Sequence, residues 1–385
     1  MPLAKPSSDP LVISMLVPTR ERCGIGDYSR LLTQAVRKLP EIEAVEAVSI
    51  PEGAVRAGIL RALQNYLPDS RRFAYLGRRL NSGQIAHIQH QYFFFGGVAP
   101  HKNHFAALLR AVRVPVVLTV HEIADGGTVG WKQALVDLTN RRNFLHPNIR
   151  EIIVHTRADA EKLGAIGVSK DRMTVLPVGI PPTLPTPSRE EARAALGIAG
   201  KRVLLMFGFL SQKKGHALAL EALRELPESV VLVLAGEQHP DDASDYVARL
   251  KERIAAYGLE RRVLYTGYLP DARIPLIMAA ADVALAPFSA SSGSASLAHL
   301  LAYGLPVIAS DIPPHRELLA QSPGCLLLTP DSDVGALREQ IRNLLDDPEL
   351  CRSLQSGAAR FCAERSFEHV ARETLSVYWR ALRRG

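Results

Sequence analysis

The sequence predicts an α/β protein made of two doubly wound, Rossmann-like domains facing a cleft. Three observations carry that expectation. Short apolar, β-branched runs alternate with helical periods along the chain, the pattern of parallel strands joined by crossover helices. The length of 385 residues exceeds what one ordinary core fills and suits two domains. A proline-rich stretch, residues 181–187, interrupts the alternation midway, after which it starts again.

In the first half the expected strands are residues 11–17, 45–50, 85–89, 116–120, 151–155 and 173–176. The first strand runs into a turn with Gly24 and Gly26, followed by a helix over 28–39. In the second half the strands fall at 202–207, 230–235, 263–266, 283–286, 307–309 and 325–328. The domains expected are residues 1–183 and 184–365, with 366–385 a C-terminal helix returning to the first domain. In such sheets ligands sit beyond the carboxyl ends of the strands, so the cleft between the domains is the expected site.

Composition narrows the function classes. Hydrophobic content of 47% with 22% charge is ordinary for a globular chain, and no run of 18 uncharged apolar residues exists. The opening Met1-Pro2-Leu3-Ala4-Lys5-Pro6 lacks a signal-peptide pattern, and the four cysteines are scattered, so a cytoplasmic protein with reduced thiols is expected. Residues 1–183 hold 23 Lys and Arg against 15 Asp and Glu; residues 184–385 hold 23 against 24. The basic half fits an anionic membrane surface or a phosphorylated acceptor, and Arg56, Arg61, Arg71, Arg72, Arg78 and Arg79 concentrate the charge. No recognition helix, RNA-binding string or zinc-finger spacing points to nucleic acid.

The most informative segment is residues 287–311. A small-residue loop, 289–296, opens an apolar helix that stops at Gly304, and a buried-type strand follows. A helix N-terminus carries unpaired N–H groups and partial positive charge, so this arrangement suits a phosphate; a Ser-rich cap on an ordinary helix reads equally well from this segment alone. Strand ends in the first half are polar: His87, His90, Gln91 and Tyr92 after one strand, His121 and Glu122 after another. Several such ends on one rim predict a lined pocket. His87, His90, His101 and His104 form two HxxH pairs, but without cysteine, and with the first pair in a strand, they do not read as zinc ligands. Asp331-Ser332-Asp333 is expected to cap the next helix rather than bind metal.

On these features the chain resembles the family 4 retaining glycosyltransferases of GT-B architecture, most strongly over residues 202–311. The string from Phe207-Gly208-Phe209-Leu210 to Lys214-Gly215 resembles the family's Gly-Arg-Leu-x-x-x-Lys-Gly loop. Ala235-Gly236-Glu237 is similar to its Ala-Gly-x-Gly turn, and 263–267, ending in Gly267, to the strand and turn beside the nucleobase. Tyr303-Gly304-Leu305-Pro306 and the strand after it match the segment that follows the donor loop. Gly24 and Gly26 match the glycine-rich loop, and His121-Glu122 the acceptor-side Val-His-Asp. Two departures stand out: Phe209 replaces the loop arginine, and Ser291 and His299 replace the Glu-x7-Glu pair.

The resemblance implies a metal-independent enzyme without cofactor that moves a hexose from a UDP- or GDP-linked sugar to a saccharide or lipid-linked acceptor. It would work at the inner membrane face or in the cytoplasm. A non-catalytic GT-B subunit supporting a partner transferase, and a phosphorylase or epimerase on the same fold, stay open. Lys214 is the matched cation for the diphosphate, with the N–H groups of Ser294, Ala295 and Ser296 beside it. Gly24, Gly26, Gly208, Gly236, Gly267, Ser291 and His299 complete the expected donor side. His121, with Lys214, is expected to be catalytic, and His87, His90, Gln91, Tyr92 and Glu122 line the acceptor side.

Overall fold

The structure, a computed structural model, describes residues 10–18, 23–50, 59–124, 130–238, 244–291 and 293–384, without the side chains of 59–66 and 132. The chain divides into two compact units, Met1–Gly179 with Phe367–Gly385, and Ile180–Ser366. Both are α/β and each contains one six-stranded sheet.

In the first unit β1 (Leu11–Pro18), β2 (Ile42–Ile50), β3 (Ile85–His90), β4 (Val116–Val120), β5 (Ile149–Val154) and β6 (Met173–Val175) are all parallel, in the order β2-β1-β3-β4-β5-β6. The order reverses between β1 and β3, which directs a ligand to the carboxyl ends of those strands. β3 and β4 are buried along their whole length; β4 reads as a nearly continuous apolar run, whereas β3 carries His87, Gln89 and His90 within the buried strand. The C-terminal helix Phe367–Arg383 belongs to this unit and packs Val370, Ala371, Val377 and Tyr378 into the core with Ile13, Met15, Val117 and Ile153. Its far end neutralises Glu151 of β5, which is fully buried: Nε of Arg380 lies 3.2 Å and Nε of Arg384 2.7 Å from the carboxylate.

In the second unit β7 (Arg202–Phe207), β8 (Val230–Ala235), β9 (Val263–Gly267), β10 (Val283–Ala286), β11 (Val307–Ser310) and β12 (Leu327–Thr329) form a parallel sheet ordered β12-β11-β10-β7-β8-β9. Here the reversal lies between β7 and β10, so the loops after Phe207 and Ala286 flank the switch point. Residues 181–187 adopt no regular structure, and Ile180 just before them donates its N–H to the Arg365 carbonyl at 2.8 Å. The Asp333 side chain accepts from the N–H of Ala336 at 2.9 Å, capping the helix Val334–Asp346. Among the described residues no helix is long and apolar enough to cross a membrane.

Element ends differ from the sequence expectation where exposure hides them. β2 starts at Ile42 rather than at 45, because this edge strand turns Glu43 and Glu46 outward and its period is broken by charge. The first helix runs Gly24–Val36 instead of 28–39, so both glycines lie in its first turn. The last strand begins at Leu327, since Cys325 still belongs to the turn closed by its N–H to the Ser322 carbonyl at 3.3 Å.

Candidate functional site

The second unit gathers Gly208, Gly215, Gly236 and Gly267, one lysine and one helix N-terminus at the switch point. After β7 the chain passes through Gly208, whose φ of +110° is left-handed, and a β-carbon there would lie 2.1 Å from Oγ of Ser296. The loop therefore lies directly on the first turn of the helix Ala295–Ala302. Gly236, after β8, is pressed on the Gly208 carbonyl, which a β-carbon would meet at 2.0 Å, and Gly236 also bridges to Gly267. Gly215 is equally tight: its β-carbon would sit 1.9 Å from the Pro287 carbonyl. That contact, with the Ser289 N–H donating to the Lys213 carbonyl at 3.0 Å, ties the lysine loop to the segment after β10.

Lys214 is thereby held with its Nζ 3.4 Å from Oγ of Ser294 and 3.7 Å from the centroid of the Phe288 ring. Ser294 is the N-cap; its Oγ accepts from the N–H of Leu297 at 3.2 Å. The N–H groups of Ala295 and Ser296 have no acceptor within the helix. A cation thus stands at the positive end of a helix dipole, and burial lowers the Lys214 ammonium to about 8. Two positive features in one place repel each other unless an anion lies between them. His299, one turn on, donates through Nδ1–H to the Ala295 carbonyl, 2.8 Å away, and its ring lies 5.4 Å from Phe207. Ser291 is partly buried and adjoins residue 292, outside the described residues.

The first unit collects polar groups where β3 and β4 end. Nδ1 of His121 lies 3.2 Å from Nε2 of His155 at the end of β5, and Nε2 of His121 lies 2.9 Å from Oε1 of Gln89, whose amide nitrogen is placed toward His87. Tyr28 sets its ring edge-on to both imidazoles, at 5.2 and 5.4 Å. Burial holds His121 well below the usual imidazole range, and the neighbouring His155, His90 and His87 push the same way. Gln91 donates to Glu122 at 2.7 Å and accepts from the N–H of Tyr92, orienting two half-buried side chains.

His87, His90 and Tyr92 stand differently from the rim expected of them. His87 is fully buried between Oη of Tyr378, 2.7 Å from Nδ1, and Oγ1 of Thr119, 2.8 Å from Nε2. His90 is equally buried and packs among Phe95, Phe105 and Phe144, so it is a core ring rather than a surface ligand group. Desolvation lowers both to about 3 and keeps them neutral. Tyr92 is buried with its hydroxyl donating to Asn140 at 2.6 Å. An apolar-run strand with histidine inside reads as a strand end, and only the packing reveals a core position. Gly24, by contrast, is exposed, has no left-handed φ, and a β-carbon there would meet nothing within 4 Å. Neither its conformation nor its neighbours require glycine. Phe288, Gln89, His155 and Tyr28 were not singled out by the sequence, because their roles are tertiary contacts without a spacing signature.

Family models match both units: "Glycosyl transferase 4-like domain" over residues 26–179 and "Glycosyl transferases group 1" over 188–361. The chain is 26% identical over 284 residues to the MMP alpha-(1->4)-mannosyltransferase of Mycolicibacterium hassiacum, covering 70% of this chain and 66% of that one. It is 28% identical over 200 residues to the 2-deoxystreptamine glucosyltransferase of Streptomyces kanamyceticus, covering 50% and 49%. The chain thus spans between about half and two thirds of the length of these relatives. Among solved structures, Anabaena Alr3699/HepE in complex with UDP-glucose superposes with a TM-score of 0.72 over 94% of this chain and 99% of that one, at 19% identity. With both sheets, both switch points and both family matches in agreement, the chain belongs to the GT-B glycosyltransferases of the group 1 kind.

Proposed function

We propose that the chain transfers a hexose from a nucleoside-diphosphate sugar, UDP- or GDP-linked, to a saccharide or lipid-linked acceptor with retention of configuration. The observation that carries this reading is Lys214, held by Phe288 and Ser294 at the N-terminus of the helix Ala295–Ala302. A diphosphate leaving group gathers negative charge as the sugar departs. Lys214 and the first-turn N–H groups neutralise it from the protein itself, without a metal. Gly208, Gly236 and Gly267 shape the backbone around the nucleotide, and Gly24, where a β-carbon would meet nothing within 4 Å, leaves room for phosphate or sugar to approach the first turn of the helix Gly24–Val36, which also holds Gly26. His121 and the Gln91–Glu122 pair face sugar and acceptor. Departure and attack on one face of the sugar give retention, as the resemblance to the family 4 enzymes implies. The solved relative's complex with UDP-glucose supports the donor class.

The test is binding by nucleotide, nucleoside diphosphate and nucleoside, followed by turnover on UDP- and GDP-sugars. With Ser291 where a carboxylate would sit by the transferred sugar and His299 where one would hold the ribose, grip rests on the diphosphate. UDP or GDP is expected to bind measurably and uridine or guanosine negligibly; equal binding of the two would overturn the phosphate-led site. A second reading, a subunit that binds donor without transferring it, is favoured by one observation: both ring nitrogens of His121 already have protein partners. Binding with no release of UDP or GDP under any acceptor would select it. For a lipid-linked acceptor the helix Ile59–Arg79 is the surface to test, since it exposes Arg71, Arg72, Arg78 and Arg79 beside Leu67 and Tyr75 while burying Phe73. Arg56 and the Arg61 side chain lie outside the described residues. Salt-sensitive flotation with anionic vesicles is expected, and its absence at low salt leaves a soluble acceptor.

A further inference from the structure

Six groups run in an unbroken line through the first unit: Oη of Tyr378, His87, Gln89, His121, His155 and the carbonyl of Leu176. Successive separations are 2.7, 3.3, 2.9, 3.2 and 2.9 Å. Every side chain but that of His121 is buried. One end of the line is a backbone carbonyl, which can only accept. That fixes the rest.

Nδ1 of His155, 2.9 Å from the Leu176 oxygen, must carry a proton, or two lone pairs would face each other. A neutral His155 then offers a bare Nε2, so Nδ1 of His121 must be the donor across the 3.2 Å between them. A neutral His121 in turn has its lone pair on Nε2. The group facing that lone pair must be the amide nitrogen of Gln89, which a half-turn of the side-chain amide supplies. The Gln89 oxygen then turns to His87, whose Nε2–H donates to it or to Thr119, and the Tyr378 hydroxyl donates to Nδ1 of His87. Every donor in the line points toward Leu176, an arrangement in which each bond polarises the next.

We propose that His155 and Gln89 are positioning residues that hold His121 as the neutral Nδ1–H tautomer, with its acceptor nitrogen Nε2 defined in advance. This rests on the reading of His121 as a sugar-facing group. A sugar hydroxyl would then meet an acceptor rather than a donor at Nε2, by taking the place of the Gln89 amide. Tyr28 stands edge-on to the ring, and the nearby imidazoles of His155, His90 and His87 disfavour an imidazolium at His121. Burial disfavours the charged form of His121 in agreement with a neutral ring.

The direct test is nitrogen NMR of the full chain labelled at histidine, with the His121 signals assigned by their loss in His121→Ala. A protonated Nδ1 and bare Nε2 between pH 6 and 8 is expected; an Nε2–H tautomer, a mixture or an imidazolium overturns the proposal. His155→Phe keeps the ring volume but removes the acceptor. It is expected to scramble the tautomer and to lower UDP release from UDP-glucose, or GDP release from GDP-mannose, at least tenfold, with UDP and GDP affinity unchanged. His155→Gln, which still offers an acceptor oxygen, is expected to restore much of it. Gln89→Glu can only accept, so it is expected to force a proton onto Nε2 and move the pH profile of release. An unchanged tautomer in both variants overturns the positioning role, and because the wild-type tautomer is read without His155→Phe, a misfolded His155→Phe leaves the test intact. Should the tautomer hold while His121→Ala releases UDP normally, the wiring stands and the assignment of His121 to transfer falls, which separates the two failures.

Discussion

Lys214 is the residue on which the donor reading turns, and its protonation is the quantity to follow. In the free protein its ammonium is lowered to about 8 by burial. A bound diphosphate favours the charged form, so binding above pH 8 must bring a proton with it, whereas at pH 7 the charge is already present. Affinity for UDP or GDP is therefore expected to hold near pH 7 and to fall as the pH rises past about 8. Titrations at pH 7, 8 and 9 check this, and a flat profile removes Lys214 from the site. Lys214→Ala is expected to lower turnover by orders of magnitude, since one preorganised contact to a developing oxyanion contributes about 2–4 kcal/mol. Its melting temperature should scarcely move, because the wild-type ammonium is held at a cost. The lysine was legible beside glycine in the sequence; Phe288, which fixes it through the face of its ring, was not.

At the scale of elements, the donor site depends on loops that only glycine allows to touch. Gly208→Ala would combine a left-handed φ with a β-carbon 2.1 Å from Oγ of Ser296. The expected result is a loop lifted from the helix Ala295–Ala302, nucleotide affinity reduced at least tenfold, and a stability loss of about 1–3 kcal/mol. Isothermal titration and thermal melts check both parts. The polar strand ends of the first unit make a separate prediction. His87 and His90 are lowered to about 3, against about 6.5 in the unfolded chain, so between these values the unfolded state binds more protons. Stability is thus full above pH 6.5 and is lost as pH falls, by up to about 1.4 kcal/mol per pH unit for each ring. Both tryptophans, Trp131 and Trp379, belong to the first unit, so their fluorescence reports its urea midpoint. The drop from pH 7 to pH 5 should shrink in His90→Phe, a ring placed among Phe95, Phe105 and Phe144. An equal drop in both proteins would mean that His90 does not carry the effect.

Across the whole chain, the last helix completes the first unit although it follows the second in sequence. Removing residues 367–385 would uncover Ile13, Met15 and Val117, delete Val370, Val377 and Tyr378 from the core, and strand the buried carboxylate of Glu151. At roughly 1.5–3 kcal/mol per large apolar side chain, plus the cost of an unpaired buried charge, the loss is on the order of 10 kcal/mol. That is comparable to a whole domain's stability. The truncated chain is expected to retain a folded second unit that still binds UDP or GDP while tryptophan fluorescence shows the first unit unfolded. A cooperative native transition from the first unit in that protein would refute the role given to the helix.

The sequence by itself determined the alternation of strand and helix, the repeat of that pattern after residues 181–187, and the small-residue helix start at 289–296, because these are local periodicities and backbone requirements. Lys214, Ser294 and Gly208 were legible for the same reason, as types whose charge, cap and conformation carry meaning at fixed spacing. Only the tertiary structure decided that His87 and His90 are core rings, that Gly208 rests on Ser296, and that Tyr378 reaches His87 across 291 residues of chain. Burial and the partners of a side chain depend on which elements the sheet order brings together, and no window of sequence contains that order. A histidine can be a ligand, a base or a packed ring; its neighbours in space choose among these by setting its desolvation and the proton each nitrogen must carry.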